Sequence, residues 1–127
     1  MKYILFVGRI FYSMIFILSS IGHFSRRSIN YAASQDVPMA SFLVPIAGIF
    51  ILLGGLSILL GYKARYGAWL IVIFLVPVTL IIHNFWGISD PMKAGLQQVM
   101  FLKNLSMLGG ALIIAYFGSG PLSLDRR

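Results

Sequence analysis

The sequence predicts an all-α membrane protein, a bundle of four transmembrane helices with its N and C termini in the cytoplasm. Hydrophobic residues make up 59% of the 127 residues and charged residues only 10%, whereas a soluble protein is about a quarter charged. The apolar residues form long runs, and no alternating pattern of a β-barrel is present. Because backbone groups in lipid must be hydrogen-bonded within their own segment, the runs predict helices.

Four runs are long enough to span a bilayer, since each approaches the ~20 residues that a helix needs to cross the hydrocarbon core. They cover residues 3–22, 40–61, 66–86 and 96–117 of a single domain, 1–127. The first run also fits the outline of a signal peptide. Because Arg9 interrupts its apolar core and three more runs follow, we interpret it as a retained helix.

The charges between the runs predict the orientation. One side of the membrane would hold Lys2, Lys63, Arg65, Arg126 and Arg127, and the other Arg26, Arg27 and Lys93 with Asp36 and Asp90. By the positive-inside rule the first side is cytoplasmic. The external loop, residues 23–39, is polar enough to form a short interfacial helix. The loop 62–65 is so short that its two helices must be antiparallel neighbours.

Small residues predict how the helices pack. In the second run Ala40, Ala47, Gly54 and Gly61 recur every seven residues, and such stripes let membrane helices approach closely. Packing within the bundle is the main interpretation, and a homo-oligomer is the alternative. Pro77 predicts a kink in the third helix because it removes one backbone hydrogen bond.

Lys103 is the most informative residue, because an ionisable side chain inside a membrane helix is costly and usually faces the bundle interior or a cavity. At 1.5 Å of rise per residue it lies about 10 Å below the external surface. We predict one polar pocket in the external half of the bundle. Its candidate residues are His23, His83, Asn84, Lys103 and Asn104, whereas Arg9 is a separate residue near the cytoplasmic side.

Each candidate also has a structural explanation. Arg9 and Lys103 have long stems that can carry their charges outward to the headgroups. His23 is explained as an interfacial residue, and the pair 83–84 as neighbours of an aromatic belt. Asn104 is explained by a hydrogen bond between helices.

The chain lacks the residues that several kinds of protein function require. It has no cysteine, so it cannot itself run thiol–disulfide chemistry. The basic charges lie at the ends of apolar runs, which does not indicate nucleic-acid binding. No nucleophile–base pair or phosphate loop is present, so a self-sufficient enzyme is not expected. No ligand spacing predicts a metal site, and His23 with His83 as haem ligands is a minor alternative.

The chain resembles the DoxX family of small bacterial membrane proteins over nearly its whole length. The resemblance is carried by GRIFYSMIFILSSIGHF, VPIAGIFILLGGLSILLGYKARYGA, FLVPVTLIIHNFW and KNLSMLGGALIIAYFGSGPLSLD. It implies a four-helix bundle in the bacterial cytoplasmic (inner) membrane. Some members are subunits of a thiosulfate:quinone oxidoreductase, and others are tied to oxidative-stress complexes. Arg9 and the pairs 83–84 and 103–104 fall on family motif positions.

Two functional hypotheses follow. The first is an accessory membrane subunit of a redox system, in which His83 and Lys103 donate hydrogen bonds to a quinone and Phe85, Trp86 and Phe101 form the walls. Its partners would be the lipid bilayer and the subunits of a redox enzyme. The second is a non-enzymatic membrane scaffold or transport-type protein that recruits its partners through its loops.

Overall fold

The computed structural model describes residues 2–35, 37–82 and 85–120. Within these residues the secondary structure is helical throughout, which confirms the predicted all-α class. The α-helices are α1 (Lys2–Gly22), α2 (Arg26–Ser34), α3 (Ala40–Leu60), α4 (Ala64–Ile81) and α5 (Pro91–Phe117), with a short 3-10 helix at Phe85–Gly87 before α5.

In the described part of the chain, α1, α3, α4 and α5 are long and apolar enough to cross a membrane. They pack in the order α1, α3, α4, α5, each against the next. The outer two meet at Tyr12 of α1, whose hydroxyl donates a hydrogen bond to the Met107 carbonyl of α5. Many large apolar side chains face outward, as expected of a bundle whose surrounding solvent is lipid.

The predicted interfacial helix is present as α2, which packs against α3. Ser25 is the N-cap of α2, and its hydroxyl oxygen accepts a hydrogen bond from the Ser28 amide at 3.2 Å. A serine at this position satisfies one of the unpaired amides of the first turn. Ala32 of α2 is buried with Ala40 and Val44 in a small apolar cluster of its own. The polar loop is therefore folded back onto the bundle.

In two of the predicted spans the helix has other boundaries than the apolar run. The last helix begins at Pro91 rather than at residue 96, because Asp90 caps its first turn by accepting from the Met92 amide and proline is favoured at the first helical position. Its 27 residues give about 40 Å, more than the ~30 Å hydrocarbon core. In the third span the α-helix begins at Ala64 and ends at Ile81, and its 18 residues give about 27 Å. The stretch that is apolar enough to cross a membrane continues to Gly87, one residue beyond the predicted end at 86.

Glycines set the distances between the helices. A Cβ atom at Gly54 would lie 2.8 Å from the Gly67 carbonyl oxygen, and one at Gly55 would lie 2.9 Å from a side-chain carbon of Ile17. One face of α3 therefore touches α4 and the adjacent face touches α1. Gly54 of the predicted stripe thus packs within the chain. The Ser57 hydroxyl, beside Gly67, closes the α3–α4 turn by donating to the Tyr62 carbonyl at 2.6 Å.

The core lies at the centre of this arrangement. Its fully buried side chains come from α1, α3, α4 and α5. They are Phe16, Ile51, Ile58, Ala64, Ala68, Ile71, Leu75 and Ala111. Pro77 lies inside α4 and the helix continues across it, so the predicted kink stays a prediction.

Candidate functional site

A small cavity of about 170 Å³ lies between α1, α3, α4 and α5. Its polar lining comes from His23, Ser19, Lys103 and Asn104. The structure thus brings three of the residues singled out from the sequence to one cavity. The remaining walls are apolar: Ile15, Phe16, Ile51, Phe74, Leu75, Val78 and Met107.

Asn104 is the most constrained polar group of the small cavity. Its side chain is 4% exposed, and it forms no side-chain hydrogen bond with any other residue among those described. The interhelical hydrogen bond offered as its structural explanation is therefore not present within that part of the chain. An amide offers two N–H donors and one carbonyl acceptor to a ligand.

His23 enters the cavity from the turn that follows α1. Its ring Nδ1 lies 2.9 Å from the Ser19 carbonyl oxygen. Since a carbonyl oxygen only accepts, Nδ1 carries the hydrogen, and in the neutral ring Nε2 is the acceptor. The Phe74 ring stands edge-on to the imidazole at a centroid distance of 5.5 Å. Gly48 gives it room, because a Cβ there would lie 2.7 Å from the His23 Cβ.

Lys103 lines the same cavity and remains exposed. Its neighbour Asn104 is buried, because successive residues of a helix point about 100° apart. An ammonium group at the side of the cavity can donate up to three hydrogen bonds. Both interpretations of Lys103, ligand contact and outward reach to the headgroups, are compatible with this position.

The two remaining pocket candidates, His83 and Asn84, lie outside the described residues. The aromatic residues predicted as walls are found elsewhere. Phe85, Trp86 and Phe101 form their own edge-to-face cluster with centroid distances of 5.5–5.7 Å. Among the described residues, the cavity wall is instead aromatic at Phe16 and Phe74, which no sequence motif indicated.

Arg9 is 5% exposed and lies on the inward face of α1. The sequence left two placements open for Arg9, outward to the headgroups or inside the bundle, and in the structure it is buried inside the bundle. Its guanidinium carbon lies 5.5 Å from the centre of the Phe6 ring, within the range of a cation–π contact. Ser19 is ten residues further along α1, about 15 Å along the axis. Arg9 is therefore separate from the small cavity.

A larger groove of about 640 Å³ lies between α2, α3 and α4. It shares His23, Phe74 and Val78 with the small cavity, so the two adjoin. The sequence analysis did not predict it. One sequence signal could have indicated it. Arg27 and Tyr31 are four residues apart and so lie on one face of α2, and both line the groove. Among the described residues, no group of three His, Asp or Glu side chains is placed to hold a metal ion.

Comparison with known proteins gives relatives among membrane proteins. The chain is 29% identical over 100 residues to the inner membrane protein YphA of Escherichia coli, covering 79% of this chain and 71% of that protein. It is 28% identical over 67 residues to the ER-derived vesicles protein ERV29 of Saccharomyces cerevisiae. It is 30% identical over 69 residues to the Surfeit locus protein 4 homolog of Schizosaccharomyces pombe.

The two yeast matches cover 53% of this chain but only 21% and 22% of those proteins, so this chain corresponds to about a fifth of their length. No solved structure matches. The model of the DoxX family matches residues 4–84, a stretch that runs from α1 to the end of α4 and includes all the described residues that line the large groove. That match confirms the resemblance read from the sequence, and this integral membrane protein belongs to the DoxX family.

Proposed function

We propose that the small cavity binds the ring of a quinone and that the chain is an accessory membrane subunit of a redox or oxidative-stress system. The observation that carries the proposal is the buried Asn104 amide, which lines a cavity of about 170 Å³. An apolar cavity of about 150 Å³ is large enough to bind benzene, so a single six-membered ring fits this volume.

The polar groups suit the oxygens of such a ring. A quinone carbonyl accepts hydrogen bonds, which the Asn104 amide and the Lys103 ammonium can donate. The hydroxyl of the reduced form donates, and Nε2 of a neutral His23 can accept. Phe16 and Phe74 supply aromatic surface for the ring faces or edges. The electrons would pass to or from a partner enzyme, because the chain itself has no cysteine for a thiol relay.

Substitutions at the cavity test this proposal. We expect Asn104→Leu to weaken quinone binding about tenfold, since it removes the buried donor while keeping the branched shape of the side chain. Lys103→Met should weaken it severalfold. The measurement is photolabelling of the purified full-length protein by an azidoquinone, with competition by unlabelled decylubiquinone and mapping of the labelled peptides.

Lys93→Met is the matched control, because Lys93 lies on the same helix in its exposed first turn and does not line the cavity. Its binding should equal that of the wild type. Thermal unfolding of each variant in detergent checks that the fold is kept. Labelling that is absent from α1 and α5, or equal in all variants, would contradict the quinone proposal.

The second candidate is a non-enzymatic scaffold or transport-type membrane protein. It is favoured by the similarity to proteins named for an inner membrane and for ER-derived vesicles rather than for a redox reaction. On this proposal the chain acts by recruiting a partner through its loops. Crosslinking in native membranes would recover that partner whether or not the small cavity is blocked. Recovery that depends on Asn104 would favour the redox proposal instead.

We also propose that the protein lies in a bacterial cytoplasmic membrane with both termini in the cytoplasm. Because the chain has no cysteine, a single introduced cysteine reports directly on which side of the membrane its position lies. In right-side-out vesicles, Arg26→Cys should react with a membrane-impermeant maleimide, whereas Arg65→Cys should react only after the vesicles are opened. Both arginines are exposed, so they are matched in accessibility. The reverse pattern would show the opposite orientation.

A further inference from the structure

We infer that the large groove binds an anionic phospholipid of the surrounding bilayer, with its phosphate beside Arg27 and one acyl chain between α3 and α4. The groove is about 640 Å³, within the ~300–1,000 Å³ typical of ligand sites. This site is distinct from the quinone-ring site, and neither proposal depends on the other.

The polar groups of the groove come from α2 and from the turn before it. Arg27, Ser28 and Tyr31 line it from α2, and His23 lines it from the turn before α2. None of the described residues that line it is acidic. An arginine and two hydroxyl groups are hydrogen-bond donors, and an arginine pairs with phosphate through two parallel N–H bonds. This side of the groove therefore has the charge and the donors that a phosphate group requires.

The rest of the lining is apolar. α4 and its end supply Ile73, Phe74, Pro77, Val78, Ile81 and Ile82. α3 and the loop before it supply Val37, Pro38, Leu43, Val44, Ile46, Ala47 and Phe50, and α2 adds Ala32. From Leu43 to Phe50 the lining follows α3 for about 10 Å. A groove with polar groups on the α2 side and apolar residues from α3 and α4 suits a phospholipid, whose headgroup is joined to hydrocarbon chains.

The groove also communicates with the lipid. Three of its lining residues, Leu43, Ile73 and Ile81, are 40%, 55% and 37% exposed on the outer surface of α3 and α4. Arg27 is exposed on α2, which follows the end of α1 directly, and its long side chain can extend towards the phosphates of the bilayer. A lipid can thus enter sideways without leaving the membrane. The basic residues of α2 are also suited to an anionic leaflet.

The test measures which lipid stays with the protein. The full-length chain is reconstituted in vesicles of phosphatidylglycerol and phosphatidylcholine in equal amounts with identical acyl chains. It is then extracted in mild detergent, and the retained lipids are counted by native mass spectrometry. We expect the wild type to retain phosphatidylglycerol preferentially. Arg27→Gln should lower that preference about tenfold, the loss of one charge-assisted pair, whereas Arg26→Gln should leave it nearly unchanged.

Arg26 is the matched control because it is adjacent, exposed and equally charged but does not line the groove. A second pair of variants tests the acyl chain. The Ala47→Cys variant is alkylated with a bulky thiol reagent after folding, and Leu53→Cys, exposed on the same helix, is treated alike. Alkylation at position 47 should release the lipid, and alkylation at position 53 should not.

An equal loss in both arginine variants would overturn the site, since it would mean that the basic helix attracts anionic headgroups without a groove. Unchanged preference in Arg27→Gln, or lipid retained equally after both alkylations, would overturn it as well. Quinone labelling serves as the independent readout. If it fails in the wild type while lipid selectivity persists, only the proposed redox function fails. If quinone labelling is lost together with the lipid on alkylation at position 47, the groove holds a quinone tail and the phospholipid proposal is wrong.

Discussion

Replacing Gly54 with valine is expected to separate α3 from α4 and to destabilise the bundle by about 3 kcal/mol or more, the upper part of the range for overpacking. The reason is that a Cβ atom at Gly54 would lie 2.8 Å from the Gly67 carbonyl oxygen. Backbone cannot rotate away as a side chain can. The helices must therefore move apart, and the contacts of the buried Ile71 beside them are lost.

The measurement is the free energy of unfolding in mixed micelles, followed by helix content as the fraction of denaturing detergent rises. Gly109→Val is the control, because nothing lies within 4 Å of a Cβ atom at that helical glycine. The control should stay within about 1 kcal/mol of the wild type, the span of helix propensities. Equal losses in the two variants would refute the close contact of α3 with α4.

The second large effect is expected at Phe16. This side chain is 2% exposed in the core, and its ring lies 5.2 Å from that of Tyr12. Phe16→Ala should lower the free energy of unfolding by about 3–5 kcal/mol, because it leaves a void in a packed interior. It should also weaken quinone-ring binding, since Phe16 is a wall of the small cavity.

Phe11 provides the matched control on the same helix. It is 70% exposed and faces the surrounding lipid, so Phe11→Ala loses lipid contacts without opening a void in the core. Its unfolding free energy should change by less than about 1 kcal/mol. Both variants are measured in the same micelles, and azidoquinone labelling is then repeated on each. A Phe16 variant as stable as the Phe11 variant would show that α1 does not insert this ring into the core.

The helix boundaries show how well hydropathy alone predicts where each helix begins and ends. The runs at 3–22 and 40–61 agree within a residue or two with α1 and α3, because both helices end where the apolar residues end. The last helix starts five residues before the predicted 96, where Lys93 lowers the hydropathy. Its start is decided by capping at Asp90 and Pro91, a signal that is present in the sequence and independent of hydropathy.

The candidate site was predictable only in part. Lys103 and Asn104 drew attention because polar residues are costly in a membrane helix, and both line the small cavity. Which of them is buried could not be known, because that depends on how α5 is rotated against its neighbours. His23 reaches the cavity because Gly48 of α3 leaves space for it, a contact between segments 25 residues apart in sequence. No local pattern encodes such a contact.

By itself, the sequence determined the class of this protein, its four membrane helices and its membership of the DoxX family, since these follow from apolar runs and motifs that are local in the chain. The tertiary structure alone decided that Arg9 is buried, that Phe16 and Phe74 are aromatic wall residues of the small cavity, and that α2 lines one side of the large groove. The physical reason is that a cavity is formed by the rotation and separation of several helices. Those quantities depend on contacts, such as that of Gly54 with Gly67, between residues that are distant along the chain.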